Sequence, residues 1–328
     1  MRRNTIICLI LAVVLVMFSS CLAMNEAKVR LAESTAVFDT EYDGEVIRDL
    51  RYGDAPRNVY DLYLPEDTAA AGASHLILFI HGGSWTSGDK EDGEPYCRNF
   101  AAHGYVAASI CYTLKAEDAD PTILSINGEV KEAVSAIKDK CAELGIGLTD
   151  MAVSGFSAGA CQAMMYGFTE ATTSALPVKF IIQMSGPTTF DPYLWSTDEV
   201  HWLVRKEAGL DGTPEGAAKW ISLFSGENVT AEMVKSGEAE SIWKNISPFY
   251  HITAQSIPVL SAYGSLDGVV PPTSRIVLEN ALEASGKVRG QDFDTVILKH
   301  SGHALACDVD ELRILLAKIY DYCDRYFN

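Results

Sequence analysis

Three side chains in this sequence have the chemistry of a nucleophile, a base and an orienting carboxylate: Ser157, His303 and Asp267. Ser157 stands in Gly155-Phe156-Ser157-Ala158-Gly159, one hydroxyl among small residues. A reactive serine on a tight strand-to-helix turn needs such neighbours, because the backbone there is cramped and strained. An ordinary buried turn favours small residues as well. Asp267 lies in Tyr263-Gly264-Ser265-Leu266-Asp267-Gly268. There a carboxylate can hold an imidazole and stabilise its protonated form, or simply bond the backbone of its own turn. His303 closes His300-Ser301-Gly302-His303, and a histidine on such a loop is as much at home on the surface as in a site. His300 competes with it, but continues the register of the preceding strand and is expected to point into packing. Together the three types fit acyl transfer through a covalent serine intermediate.

Such chemistry also needs amide donors aimed at the developing oxyanion. His81-Gly82-Gly83-Ser84-Trp85 follows an apolar run, and paired glycines let a backbone approach a substrate closely. The expected donors are the N–H groups of Gly83, Ser84 and Ala158. His81 is expected to brace this loop by hydrogen bonding, and Trp85 to touch substrate.

The elements that must position these residues can be read from the pattern. Continuous apolar runs at 75–80, 105–111, 151–154, 180–184, 259–263 and 295–298 read as strands buried on both faces, with two shorter strands at 46–52 and 59–64. Helical periodicity covers 129–144, 158–168, 274–284 and 309–327. Strands alternating with helices predict an α/β fold with a mostly parallel sheet covered on both faces. Ligands bind such sheets beyond the carboxyl ends of the strands, where Ser84, Ser157, Asp267 and His303 all fall. The segment 190–250 breaks the alternation and holds four of the five tryptophans, Trp195, Trp202, Trp220 and Trp243. It is expected to be a helical cap over that edge. Trp195 is placed against substrate, although tryptophans of an ordinary helical core would give the same pattern.

Composition narrows the partners. The chain has 328 residues, 48% of them hydrophobic, and a formal net charge of −18. So acidic a protein is unsuited to nucleic acid, whose phosphates need basic patches. Arg2 and Arg3 precede the apolar run 6–18, and Ser19-Ser20-Cys21-Leu22-Ala23 follows. This is the layout of an export signal, too short for the about 20 residues of a membrane span. We therefore expect a signal segment at 1–20, a tether at 21–44 and one domain at 45–328. Phe18-Ser19-Ser20-Cys21 resembles the lipobox of bacterial lipoproteins, with Phe18 where Leu is usual. Lipidated Cys21 would attach the protein to a membrane surface; cleavage after Ala23 would release it. The cysteines show neither CxxC nor Cys/His ligand spacing, so no metal site is expected, and acyl transfer through Ser157, His303 and Asp267 implies no cofactor. An exported protein can pair some of them, while several sit in apolar surroundings that suit a free thiol.

With these motifs in hand, HGGSW, GFSAGA, GSLDGVVP and SGHAL resemble the α/β-hydrolase superfamily in its HGGxW branch. That branch includes hormone-sensitive-lipase-like esterases, bacterial acetyl or feruloyl esterases that act on polysaccharide decorations, and kynurenine formamidases. The likeness runs over nearly the whole chain from Val46, and the chain order Ser157, Asp267, His303 is that of the superfamily's triads. It implies an exported serine esterase acting on a small or polysaccharide-linked ester. Ser84 replaces the third glycine of HGGG, Ala160 the final glycine of GxSAGG, and Thr113 an arginine found in many relatives. These departures loosen the tie to the hormone-sensitive-lipase-like group. Two rivals remain: an arylformamidase-type amide hydrolase, and a carbohydrate-binding protein that kept the fold without the activity.

Overall fold

The computed structural model describes residues 36–66, 74–116, 119–197 and 199–327. The expected signal segment 1–20 and Cys21 lie outside the described residues. Eight strands form one sheet: β1 (Val46–Arg51), β2 (Val59–Tyr63), β3 (Ser74–Ile80), β4 (Val106–Ile110), β5 (Leu148–Phe156), β6 (Val178–Met184), β7 (Val259–Gly264) and β8 (Phe293–Leu298). Their spatial order is β1-β2-β4-β3-β5-β6-β7-β8. The β1–β2 and β2–β4 pairs are antiparallel, and every other pair is parallel. The carboxyl ends of β3 and β5 to β8 therefore share one edge.

Ten α-helices accompany the sheet: α1 (Glu94–Ala102), α2 (Ile123–Glu143), α3 (Ala158–Thr169), α4 (Pro192–Trp195), α5 (Trp202–Ala208), α6 (Pro214–Ser225), α7 (Ala231–Ser236), α8 (Ala239–Asn245), α9 (Thr273–Ala284) and α10 (Val309–Tyr326) among the described residues. Alternate residues of a strand point to opposite faces, and this divides the core in two. In β3, Leu76, Leu78 and Ile80 pack with α2, α3 and α9, whereas Ile77 and Phe79 pack with α1 and α10. Helices on both faces explain why the central strands are apolar without alternation. Fully burying one such Leu or Ile contributes about 1.5–3 kcal/mol.

Three local outcomes differ from the sequence reading. Helix α2 begins at Ile123, six residues before the expected start, because Thr122 and Ser125 form a reciprocal cap. Helix α1 was not anticipated; Pro95 sits in its first turn, and it buries Cys97, Phe100 and Ala101. The expected tether 21–44 is too long by the residues that can be described. Phe38 is buried with its ring 4.4 Å from Tyr96, its carbonyl accepts a bond from Asn99, and Tyr42 donates to Leu64 O at 2.7 Å. An aromatic pair and two hydrogen bonds tie this stretch to the domain.

The insertion between β6 and β7 carries α4 to α8. Phe190, Trp195, Trp220 and Phe224 belong to the same buried cluster as α2 and α3, so the cap is continuous with the core on that face. Trp202, by contrast, is 59% exposed. Cys97, Cys111, Cys141, Cys161 and Cys323 are buried thiols without disulfides, and burial pushes the Cys111, Cys141 and Cys323 thiols up to about 12. No described helix is long and apolar enough to cross a membrane.

Candidate active site

Ser157 lies between β5 and α3 with φ 54° and ψ −118°. A non-glycine residue there stores strain of order 1–3 kcal/mol. The flanks are built for it. A Cβ on Gly159 would strike the carbonyl oxygens of Ile80 and His81, and one on Gly155 would strike the backbone of Gly159. The small residues around Ser157 are thus a packing requirement of a turn pressed against β3. The Ser157 amide is fixed on Met184 O at 2.8 Å, and its hydroxyl lies over the positive end of α3.

The structure brings the three distant residues together. Ser157 Oγ and His303 Nε2 are 2.8 Å apart, and His303 Nδ1 and Asp267 Oδ2 are 2.8 Å apart. All three side chains are buried. Asp267 Oδ1 accepts from the amides of Val269 and Val270 at 2.8 and 2.9 Å. Its second oxygen is thereby turned to the imidazole. The turn-Asp reading and the orienting reading of Asp267 both describe it, one through each oxygen.

Two loops hold this chain of bonds in register. Ser265 N donates to Leu298 O and Leu266 N to Ser301 O, tying the Asp267 loop to the His303 loop. Ser185, at the end of β6 with φ 53°, donates from its buried hydroxyl to His303 O at 3.0 Å. His300 does not point into packing as expected. The strand ends at Leu298, and the His300 side chain is 78% exposed with Nδ1 2.8 Å from Asp308. Asp308 also accepts from His300 N and from Ser301 Oγ. Its partial burial acts to raise its pKa, but the bonds from Ser301 and His300 hold the carboxyl below the usual range. Ser185 and Asp308 escaped the sequence reading. The rule of inspecting residues just after each strand would have reached Ser185.

The glycine loop turns sharply, with positive φ at Gly83 (105°), Ser84 (53°) and Trp85 (59°). Thr86 N and Ser87 N both donate to Gly83 O at 3.0 Å, closing the turn. Gly82, which was not singled out, lies against the Ser157 side chain, 3.2 Å from where its own Cβ would be. His81 is buried, stacks on Tyr112 at 4.3 Å and donates from Nδ1 to Gly82 O at 2.7 Å. Burial lowers its pKa to about 4, so it braces the loop as a neutral ring.

A cavity of ≈ 40 Å³ opens on Ser157, and Ser84, Trp85, Ala158 and Trp195 all line it. Gly83 sits one residue back in the same turn. Trp220, Phe224, Val204, Val269 and Val270 complete most of the wall; none of these was identified from sequence. Trp220 was visible only as one of several cap tryptophans, and Trp202 and Trp243 are not part of this wall. Among the described residues no group of three His, Cys, Asp or Glu is placed to hold a metal ion. Chemically, the arrangement can take a proton from Ser157 onto His303 and meet a tetrahedral oxyanion with amides at the start of α3 and in the glycine loop.

A mostly parallel eight-stranded sheet, a strained serine on a strand-to-helix turn and a helical insertion after β6 define an α/β-hydrolase fold. Solved structures agree on that fold. A truncated carbohydrate esterase from gut microbiota superposes with TM-score 0.65 at 17% identity, covering 86% of this chain and 98% of that one. The esterase Est2 of Thermogutta terrifontis gives TM-score 0.62 at 20% identity, covering 85% and 91%. The family model BD-FAE matches residues 60–282, and the chain belongs to that family. By sequence it is similar to esterase LipC of Mycobacterium tuberculosis, 25% identical over 68% of this chain and 52% of LipC. It is also similar to a probable isoprenylcysteine alpha-carbonyl methylesterase, ICMEL1, of Arabidopsis thaliana, 34% identical over 74% of this chain and 48% of that protein. The chain thus spans about half the length of these relatives.

Proposed function

We propose that this protein is an exported serine esterase that hydrolyses carboxylic esters, with an acyl group on a polysaccharide as its natural substrate. The observation that carries the reading is the unbroken chain Ser157–His303–Asp267, two contacts of 2.8 Å among buried groups at one sheet edge. His303 Nε2 takes the Ser157 proton as Oγ bonds to the ester carbonyl carbon. The carbonyl electron pair moves onto oxygen, which the amides of Ala158 and of the turn at Gly83 and Ser84 receive. Collapse breaks the C–O bond to the alcohol, and the alcohol leaves with the proton from His303. Water then repeats the sequence on the acyl-serine, releasing the carboxylic acid and restoring the hydroxyl. Each amide donor of this kind is worth on the order of 10²–10³ in kcat.

Esterase relatives and membership of BD-FAE support the ester, and the likeness to a carbohydrate esterase supports a glycan as its alcohol. The signal-like N-terminus supports export, with lipidation at Cys21 as the proposed anchor. The test is labelling by a fluorophosphonate, which reacts quickly only with an activated serine. Wild type is expected to label and to release acetate from acetylated xylan, and Ser157→Ala to do neither. A wild-type protein that fails to label is a binding protein on this fold. One that turns over N-formylkynurenine in preference to esters is an amidase.

A further inference from the structure

We infer that the acyl half of the substrate is limited to two or three carbons, an acetyl or propionyl group, and that a feruloyl group does not fit; this rests on the esterase reading. The cavity at Ser157 offers ≈ 40 Å³. That is far below the about 300–1,000 Å³ of a pocket that encloses a whole drug-sized ligand, and the ester carbonyl already takes part of it. An aromatic acid cannot enter without displacing a wall.

The lining says which half of the ester belongs there. Apart from the hydroxyls of Ser84 and Ser157 its side chains are apolar, contributed by Trp, Phe, Val, Ala and Pro. A sugar hydroxyl placed inside would lose its hydration and gain few partners, at a cost of about 1–3 kcal/mol each. An alkyl group loses nothing. The polysaccharide must therefore project toward solvent, and the short acyl chain points inward.

The walls are also fixed. Trp195 Nε1 donates to Thr189 O at 2.7 Å and Trp220 Nε1 to Phe190 O at 3.2 Å. Trp85 Nε1 lies 3.0 Å from the Gln162 amide oxygen, with that amide turned so that its nitrogen donates to Ile123 O. The rings lock one another: Trp195 and Trp220 at 4.8 Å, Trp220 and Phe224 at 4.6 Å, Trp85 and Phe224 at 5.1 Å. Moving any one indole breaks a buried hydrogen bond and at least one ring contact. Phe224 has no such polar anchor and touches both the Trp85 and Trp220 sides, so it is the residue that sets the depth.

The experiment is kcat/KM for p-nitrophenyl acetate, propionate, butyrate, hexanoate and ferulate on the full-length protein, with Phe224→Ala and Val204→Ala beside wild type. Each methylene past propionyl is expected to cost roughly tenfold or more, and the ferulate ester to be inert. Phe224→Ala should raise the hexanoate-to-acetate ratio at least tenfold. Val204→Ala removes less packing and tests the same wall if the larger change prevents folding. Hexanoate or ferulate turned over within tenfold of acetate by wild type overturns the acyl limit and leaves the esterase reading standing. A ratio that moves in neither variant overturns this assignment of the wall. No turnover of any ester overturns the esterase reading and the pocket with it.

Discussion

Replacing Asp267 by Asn changes one atom and should reverse the direction of the whole proton path. Asp267 Oδ1 is pinned by two amide donors, from Val269 at 2.8 Å and Val270 at 2.9 Å. An Asn must keep its oxygen there. Turning its NH2 toward those donors would give up two buried hydrogen bonds, about 1 kcal/mol each, so the intended orientation wins by roughly 30-fold. The NH2 then faces His303 Nδ1, which can only accept from it. The imidazole proton is driven to Nε2, the atom 2.8 Å from Ser157 Oγ, and Nε2 can no longer receive the serine proton. A tautomer inverted in this way lowers kcat by about 10⁴, or roughly 5 kcal/mol of barrier. Exchanging a charge-assisted bond for a neutral one should cost only about 1 kcal/mol of stability, a fall in Tm of a few degrees. The assay is p-nitrophenyl acetate turnover with the fluorophosphonate labelling rate measured alongside. Both should fall together while KM stays within about threefold, because the acyl cavity is untouched. A well-folded Asp267→Asn protein with kcat within tenfold of wild type would refute the assigned roles.

Two further outcomes follow from backbone strain and from burial. Ser157→Gly and Ser157→Ala should both be inactive, but Gly tolerates φ 54° where Ala does not. Relief of about 1–3 kcal/mol of strain, less about 0.5–1 kcal/mol of added chain entropy, leaves Gly the more stable by about 1 kcal/mol. A thermal scan should place its Tm a few degrees above that of Ser157→Ala; equal or reversed values contradict the strain. His81 is held neutral by burial, with its pKa lowered to about 4, against about 6.5 in the unfolded chain. Below pH 6.5 the unfolded state binds a proton that the native state refuses, so stability falls with pH, by about 2 kcal/mol at pH 5 from this group. Urea unfolding at pH 7.5 and 5 should show His81→Asn, whose amide can still donate to Gly82 O, losing less over this interval than wild type.

Much of the site was legible before any folding was considered, because its parts announce themselves locally. Apolar runs too long and too uniform for one-sided strands mark a doubly covered sheet, and residues just past such runs are the ones that reach its edge. A serine flanked by Gly155 and Gly159 signals a turn where Cβ atoms do not fit. Paired glycines after β3 signal a backbone that must approach something. Each of these is a short-range steric requirement, written in neighbouring letters. The early start of α2 was missed because a Thr–Ser cap weighs little against the Asn and Gly that follow it, and only packing of Ile123 and Ile126 rewards the extension.

The sequence by itself determined the fold class and pointed to Ser157, Asp267 and His303 as the candidate triad, with the glycine loop beside them. Tertiary structure alone decided what depends on distant segments meeting. It carried His300 outward onto Asp308 instead of into the packing its place after the strand suggested. It made Ser185 the support of the His303 carbonyl across more than a hundred residues. It also selected Trp195 and Trp220, with Phe224, from the aromatic residues of the cap as the walls of a small chamber. No periodicity encodes which ring faces a void, because a void is the space left after every other side chain has been placed.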